Sequence, residues 1–138
     1  MSPLSVAALE QTAQRASKNA YAPYSKFPVG AAVLADDGTQ HTGCNVENAS
    51  FGLTICAERA AVFKAVTAGQ RVIKCIAIHT PTPEPTAPCG ACRQVLREFG
   101  ANMKIVSTCD GPGRIETTLS ELLPQSFGPE SLSPSTKI

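Results

Sequence analysis

The chain has no tryptophan, only two tyrosines and five phenylalanines, and no excess of either charge. Twelve lysines and arginines against eleven acidic residues give a net charge of +1. Proteins that bind single-stranded nucleic acid usually combine a basic groove with aromatic stacking platforms, and neither is evident here. We therefore expect no nucleic-acid partner.

Long apolar runs are also missing. No stretch of about 18 consecutive apolar residues occurs, so we expect no membrane span and no membrane partner. Residues 1–20 carry Glu10 and several polar residues through their middle, which is not the pattern of a secretory signal. A cytoplasmic protein is the expectation that follows.

The chain does have the composition of an ordinary globular domain, with 43% hydrophobic and 17% charged residues in 138. This length predicts one domain over 1–138. Hydrophobic periodicity and turn residues predict helices at 5–18, 56–68 and 89–99, with a helical turn at 119–123. They predict strands at 29–35, 40–46, 72–78, 103–108 and 114–118. We expect an α/β fold, a three-layer α/β/α sandwich around a mixed five-stranded sheet.

Six cysteines are present, and three of them have informative spacing. Cys89 and Cys92 stand at i and i+3 at the predicted start of a helix, so they share a face. Cys56 stands at the predicted start of another helix, and in a crossover fold both helix starts reach the same sheet edge. A catalytic zinc ion takes three protein ligands and keeps one position for water. The spacing therefore indicates a zinc site made by these three thiols.

Two alternatives stay open at this level. A structural zinc site would need a fourth protein ligand. A thioredoxin-like redox motif would need only the CxxC pair. The fourth ligand could come from a set of residues without paired spacing, namely Cys44, Cys75, Cys109, His41 and His79.

Glu58 favours the catalytic interpretation, because a carboxylate in a largely apolar helix is costly unless it has a function. Three thiolates also leave a zinc site with negative charge, which weakens its activation of water. Helix N-termini offset part of that charge. Arg59 or Arg93 could offset more by bonding a ligand sulfur, and we favour Arg59.

The pairing of residues 56–58, CAE, with residues 88–92, PCGAC, resembles the zinc-deaminase signature. Three further segments resemble cytidine deaminase, the family that acts on free nucleosides. They are residues 19–30, NAYAPYSKFPVG, residues 43–49, GCNVENA, and residues 89–94, CGACRQ. The likeness spans roughly residues 19–127.

The resemblance implies a role for each matching position. Cys56, Cys89 and Cys92 would hold one Zn²⁺ per chain, and Glu58 would be the proton shuttle. Asn45 and Glu47 would bind the ribose 3′-hydroxyl. Phe27 would pack on the base, and Ala57 would contact the base through its backbone. Arg59 would bond the ligand sulfurs, and Phe127 would reach a neighbouring subunit's site.

The resemblance also implies a homotetramer with active sites shared between subunits, in which the tail at 125–138 partly covers a neighbouring site. The composition of this tail suggests that it is loosely held. Phe51 departs from the family pattern, since many relatives have a tyrosine there that contacts the adjacent subunit's ligand.

The implied reaction is the hydrolysis of cytidine and 2′-deoxycytidine to uridine and 2′-deoxyuridine with release of ammonia, a step of pyrimidine salvage. Three alternatives remain. A deaminase of bases within RNA or DNA would need a nucleotide channel. Blasticidin deaminase is a relative with another substrate. A zinc-stabilised interaction module would have no activity at all.

Overall fold

A computed structural model describes residues 3–132, and it contains one five-stranded sheet with helices on both faces. In chain order the elements are α1 (Pro3–Ser17), β1 (Gly30–Ala35), β2 (Gln40–Cys44), α2 (Ala57–Thr67), β3 (Ile73–His79), α3 (Gly90–Arg97), β4 (Lys104–Thr108), β5 (Ile115–Thr118) and α4 (Leu119–Leu122). The predicted elements all form, with ends that differ by no more than two residues.

The strand order is β2-β1-β3-β4-β5. Only β3 and β4 pair in parallel, and the other neighbours are antiparallel, so the sheet is mixed as predicted. Because β1 runs antiparallel to both β2 and β3, those two strands point the same way. The helices that follow them, α2 and α3, therefore begin at the same edge of the sheet.

Side chains of the buried strands point alternately to the two faces of the sheet, and an apolar core forms on each face. On one face Ala32, Cys75 and Ala77 pack with Val6 and Leu9 of α1. On the other face the intervening strand residues pack with α2, α3 and α4, and they include Ala31, Val33, Ile76, Ile78 and Ile105. Strand β3 is buried on both sides except at Lys74, which explains the apolar run at residues 75–78. The three-layer prediction is confirmed.

The tail differs from expectation. Gln94 donates a hydrogen bond from Nε2 to the carbonyl oxygen of Phe127 at 3.0 Å. Arg97 donates from Nε to Ser126 Oγ at 2.7 Å and forms an ion pair with Glu130. The expectation of a loosely held tail is therefore wrong for residues 125–132, because α3 supplies polar partners that composition alone does not reveal. Residues 133–138 of the predicted tail lie outside the described residues.

None of the helices within residues 3–132 combines the length and the apolar character needed to cross a bilayer.

Gly43 lets β2 approach α2 unusually closely. A Cβ atom at this position would lie 2.4 Å from the backbone nitrogen of Ala61 and 2.6 Å from the carbonyl oxygen of Ala57. Both atoms belong to the helix backbone, so neither can move without shifting α2. Since α2 begins beside Cys56, this close approach also sets where the candidate site lies.

We expect Gly43→Ala to lower the free energy of unfolding by about 1–3 kcal/mol, the usual cost of overpacking. Chemical denaturation measures this change. Gly52→Ala is the matched control, because a Cβ atom there meets nothing within 4 Å. Equal stability of the two variants would contradict this account of the contact between β2 and α2.

Candidate metal centre and active site

Three cysteines converge where α2 and α3 begin. Cys56 is the N-cap residue of α2, Cys89 is the N-cap residue of α3, and Cys92 lies in the first turn of α3. Their Sγ atoms lie within 4.8 Å of one another. Because β2 and β3 run in the same direction, this convergence at one edge is the arrangement predicted from the sequence.

The geometry of the sulfurs fits zinc. A tetrahedral ion with Zn–S bonds of about 2.3 Å holds its sulfurs about 3.8 Å apart, and the three sulfurs here all lie within 4.8 Å of one another. Within residues 3–132 no other side chain joins this group of possible ligand atoms. A closed structural site is therefore not formed, since the candidates for a fourth ligand lie elsewhere, namely Cys44, Cys75, Cys109, His41 and His79. All six cysteines are free thiols.

The surroundings favour a thiolate at Cys56. A hydrogen bond from the Cys92 thiol, followed by the hydrogen bond and charge of Arg59, lowers the pKa of Cys56 to about 5 despite partial burial. Arg59 donates from its NH2 group to Cys56 Sγ at 3.3 Å. Arg93, the other candidate, instead bonds the carbonyl oxygens of Pro88 and Leu122. The preference for Arg59 agrees with this geometry.

Arg59 has a further polar atom directed inward. Its Nε is buried and has no hydrogen-bond partner among the described residues. A buried guanidinium N–H without a partner is costly unless a group absent from the protein chain accepts it. Arg59 bonds one of three sulfurs that have no fourth ligand from the protein within residues 3–132, and such a set accommodates a metal with one open position.

Glu58 is buried in the first turn of α2, with 6% of its surface exposed. Burial raises the pKa of its carboxyl group, and negative charge on Cys56 adds to the effect. A carboxyl group with a raised pKa holds a proton more readily than an exposed one, which suits general acid–base catalysis. Glu58 is therefore a buried carboxyl group with a raised pKa beside Cys92, and these properties suit proton transfer.

A cavity of about 550 Å³ lies in front of Cys56, Glu58 and Cys89. Its volume falls in the range typical of small-molecule sites. The lining is largely apolar with a few hydroxyl and carboxyl groups, and it comprises Ser25, Phe27, Val29, Asn45, Glu47, Thr54, Cys56, Ala57, Glu58, Ile78, Thr80, Thr86, Ala87 and Cys89.

Asn45 and Glu47 follow β2 and are both held firmly. The Asn45 side chain accepts from the Val29 N–H at 2.9 Å and donates to the Phe27 carbonyl oxygen at 2.8 Å. Glu47 accepts from the backbone N–H groups of Tyr24 and Ser25 at 3.0 and 3.1 Å, and from the Ser25 hydroxyl. These bonds leave each side chain at the cavity wall with further bonding capacity.

The other predicted contact residues separate into two groups. Phe27 and Ala57 line the cavity. Phe51 is 74% exposed and lines an adjoining pocket, where its ring meets Tyr24 edge-on. Phe127 is 58% exposed and lines neither of these two pockets of its own chain.

Sequence reasoning missed several polar residues of the cavity. Ser25, Thr54, Thr80 and Thr86 all line it, and none was singled out. The signal for the last two was available, because they are hydroxyl residues in the proline-rich loop that leads directly to Cys89. Ser25 could be found only from its contact with Glu47.

Known proteins resemble this chain over most of its length. Residues 5–108 match the family described as the cytidine and deoxycytidylate deaminase zinc-binding region. A cytidine deaminase of Sporosarcina psychrophila is 51% identical over 87% of this chain and 89% of that protein. One of Mycobacterium tuberculosis is 44% identical over 90% of each.

Solved structures agree with the sequence matches. The crystal structure of a cytidine deaminase from Burkholderia pseudomallei superposes with a TM-score of 0.85 at 46% identity, covering 92% of this chain and 100% of that one. With its three clustered thiols and this likeness in both sequence and fold, the chain belongs to the cytidine and deoxycytidylate deaminase family.

Proposed function

We propose that the protein is a zinc-dependent cytidine deaminase that hydrolyses cytidine and 2′-deoxycytidine to uridine and 2′-deoxyuridine, releasing ammonia. One observation carries the proposal: the buried carboxyl of Glu58 shares a cavity with Cys56 and Cys89 of a three-thiol site, which has no fourth protein ligand among the described residues. Relatives of 44–51% identity are named cytidine deaminase, which supports the same activity.

In this proposal Cys56, Cys89 and Cys92 hold the zinc ion, and Arg59 stabilises the thiolate of Cys56. When bound, zinc supplies a Lewis acid that lowers the pKa of its water. Glu58 takes a proton from the attacking water and delivers it to N3 of the ring. It then assists protonation of the amine as the C4–N4 bond breaks, so that water and cytidine yield uridine and ammonia.

Other residues of the cavity bind the substrate. Phe27 packs on the pyrimidine, and the backbone of Ala57 contacts the base. Glu47 accepts a hydrogen bond from the ribose 3′-hydroxyl, and the side-chain N–H of Asn45 donates one to it. Both side chains are held in place by their bonds to the loop at residues 24–29. A carboxylate fixed by backbone N–H groups suits a hydroxyl donor, since it needs no rearrangement on binding.

The family includes deaminases of deoxycytidylate, so nucleoside must be distinguished from nucleotide. None of the described residues that line the cavity or the adjoining pocket is a lysine, arginine or histidine, whereas Glu47 and Glu58 are carboxylates. A 5′-phosphate would meet like charge and find no cation. The lining therefore favours the nucleoside.

We also propose that residues 1–138 form a single domain and assemble as a homotetramer with shared active sites. Phe127 would reach a neighbouring site with the tail at 125–138, and Phe51 would contact the adjacent subunit's ligand. Several large apolar side chains are exposed on the single chain, as in surfaces that associate; they are Phe51, Leu53, Phe63, Phe127 and Leu132. The free cysteines suit a reducing, cytoplasmic location.

The reaction is tested by ammonia release and ultraviolet absorbance loss on four compounds. We expect turnover of cytidine and 2′-deoxycytidine, with kcat/KM for their 5′-monophosphates lower by at least about 100-fold because phosphate meets Glu47 without a cation. Comparable turnover of deoxycytidylate would overturn the nucleoside assignment. No ammonia from any of the four compounds would overturn the proposed function.

Glu58→Gln serves as the matched variant in that assay. Replacing the carboxyl by an amide keeps the size of the side chain but removes proton transfer, so kcat for cytidine falls by about 10²–10⁴. Glu98→Gln, a change on α3's C-terminal side away from the cavity lining, retains normal turnover. Full activity of Glu58→Gln would contradict the role given to Glu58.

The assembly is tested by light scattering on the purified protein. We expect a mass near four times the 14.4 kDa of one chain, since burial of the exposed apolar side chains favours association. A monomer mass at micromolar concentration would refute the tetramer and, with it, the sharing of active sites.

A further inference from the structure

The loop between β3 and α3 forms one wall of the cavity. Thr80, Thr86, Ala87 and Cys89 line it. The loop contains four prolines, at positions 81, 83, 85 and 88, so it has few backbone N–H donors of its own. Side-chain hydroxyls consequently provide much of its internal hydrogen bonding.

Three of these hydroxyls form a continuous chain. The Thr82 hydroxyl donates to the Glu84 carbonyl oxygen at 2.6 Å, and this carbonyl can only accept. The Thr80 and Thr82 oxygens are 2.8 Å apart, so the proton between them must come from Thr80, because that of Thr82 is already committed. Thr86 then donates its own proton to Thr80 at 3.3 Å.

The donor-to-acceptor direction of these hydrogen bonds determines whether the threonine hydroxyls can donate to a ligand or only accept from it. Each hydroxyl has one proton, and the three protons are donated in turn from Thr86 to Thr80, from Thr80 to Thr82, and from Thr82 to the Glu84 carbonyl oxygen. The oxygens of Thr80 and Thr86, which line the cavity, therefore keep lone pairs but no free proton. The two hydroxyls can therefore only accept a hydrogen bond from a ligand.

We propose that Thr86, oriented by Thr80, is a specificity-determining residue that favours an amino group over a carbonyl group at this edge of the cavity. The inference rests on the proposed function and deepens it. Thr86 stands three residues before Cys89 in the same wall, so the edge is next to the metal ligands. The amino group of cytidine is the group that leaves beside the metal, and uridine has a carbonyl oxygen in its place.

These hydroxyl oxygens therefore favour binding of the substrate and disfavour binding of the product. An N–H of the substrate's amino group can donate to an oxygen that offers only lone pairs. The carbonyl oxygen of the product would face that same oxygen without a proton between them, which is repulsive. The same contact that orients the amino group therefore weakens binding of the product.

The surrounding structure holds the backbone of this loop in place. Thr80 is 3% exposed, and its backbone N–H donates to the Thr108 carbonyl oxygen at 3.2 Å. The Asp110 N–H donates to the Thr82 carbonyl oxygen at 2.9 Å. Gly111 lies so close that a Cβ atom there would be 2.1 Å from the Pro83 carbonyl oxygen. The turn after β4 therefore holds the loop, and with it the spacing of the three threonine oxygens.

Equilibrium binding to the full-length, zinc-loaded protein tests the proposal. Calorimetry in the Glu58→Gln background lets cytidine and uridine be compared without turnover. We expect Thr86→Val to raise the Kd of cytidine about two- to tenfold, the value of one hydrogen bond, and to lower the Kd of uridine. Thr86→Ser keeps the hydroxyl and retains both values. Thr67→Val, an exposed change on α2 outside the cavity, also leaves them unchanged.

Thr80→Val tests the direction of the hydrogen bonds between the threonines. It removes the acceptor of Thr86, whose proton becomes free to bond the product's carbonyl, so uridine binds more tightly than to the parent protein. Unchanged binding of both ligands to Thr86→Val, or equal weakening of both, overturns the proposal. Because Thr86 is exposed, that variant decides the question even where Thr80→Val does not fold. Failure of the wild-type protein to deaminate cytidine overturns instead the proposed function.

Discussion

Three cysteine thiols within 4.8 Å of one another bind a metal only after they lose their protons, and the negative charge that results must be balanced. Two of them occupy N-cap positions, at the positive ends of α2 and α3. Arg59 adds a hydrogen bond to Cys56 and a full charge. The N-termini of both helices and Arg59 together supply the positive charge that balances the thiolates.

The strand directions in the sheet bring the starts of α2 and α3 together. Since β1 is antiparallel to both its neighbours, β2 and β3 point the same way, and the chain leaves each of them at the same edge. Gly43 then allows α2 to lie directly on β2. The loop after β3 delivers both the second thiol and the threonine edge, so metal ligation and the proposed choice between amino and carbonyl groups depend on one segment.

Much of this could be predicted from the sequence. Apolar periodicity and turn residues placed the α-helices and strands to within two residues. The spacing of Cys89 and Cys92 put them on one helix face, and the expected crossover brought Cys56 to the same sheet edge. Glu58 was noticed because a carboxylate in an apolar helix is unusual. These features are local, or depend on a spacing that a helix converts directly into proximity.

The remaining features depend on contacts between distant segments. The proton direction in the Thr86–Thr80–Thr82 chain follows from one carbonyl acceptor, which no residue pattern encodes. The tail at 125–132 has the composition of a loose segment, yet Gln94 and Arg97 hold it through bonds that span about thirty residues of sequence. Likewise, Ser25 became relevant only once its bond to Glu47 was seen.

The zinc content of purified protein tests the central claim most directly. The account predicts one zinc per chain in the wild type and in Cys44→Ala, whose thiol lies outside the cluster, and loss of zinc in Cys56→Ala. Stoichiometric zinc in Cys56→Ala, or its loss in Cys44→Ala, would show that the metal is held by another set of ligands and would contradict the account.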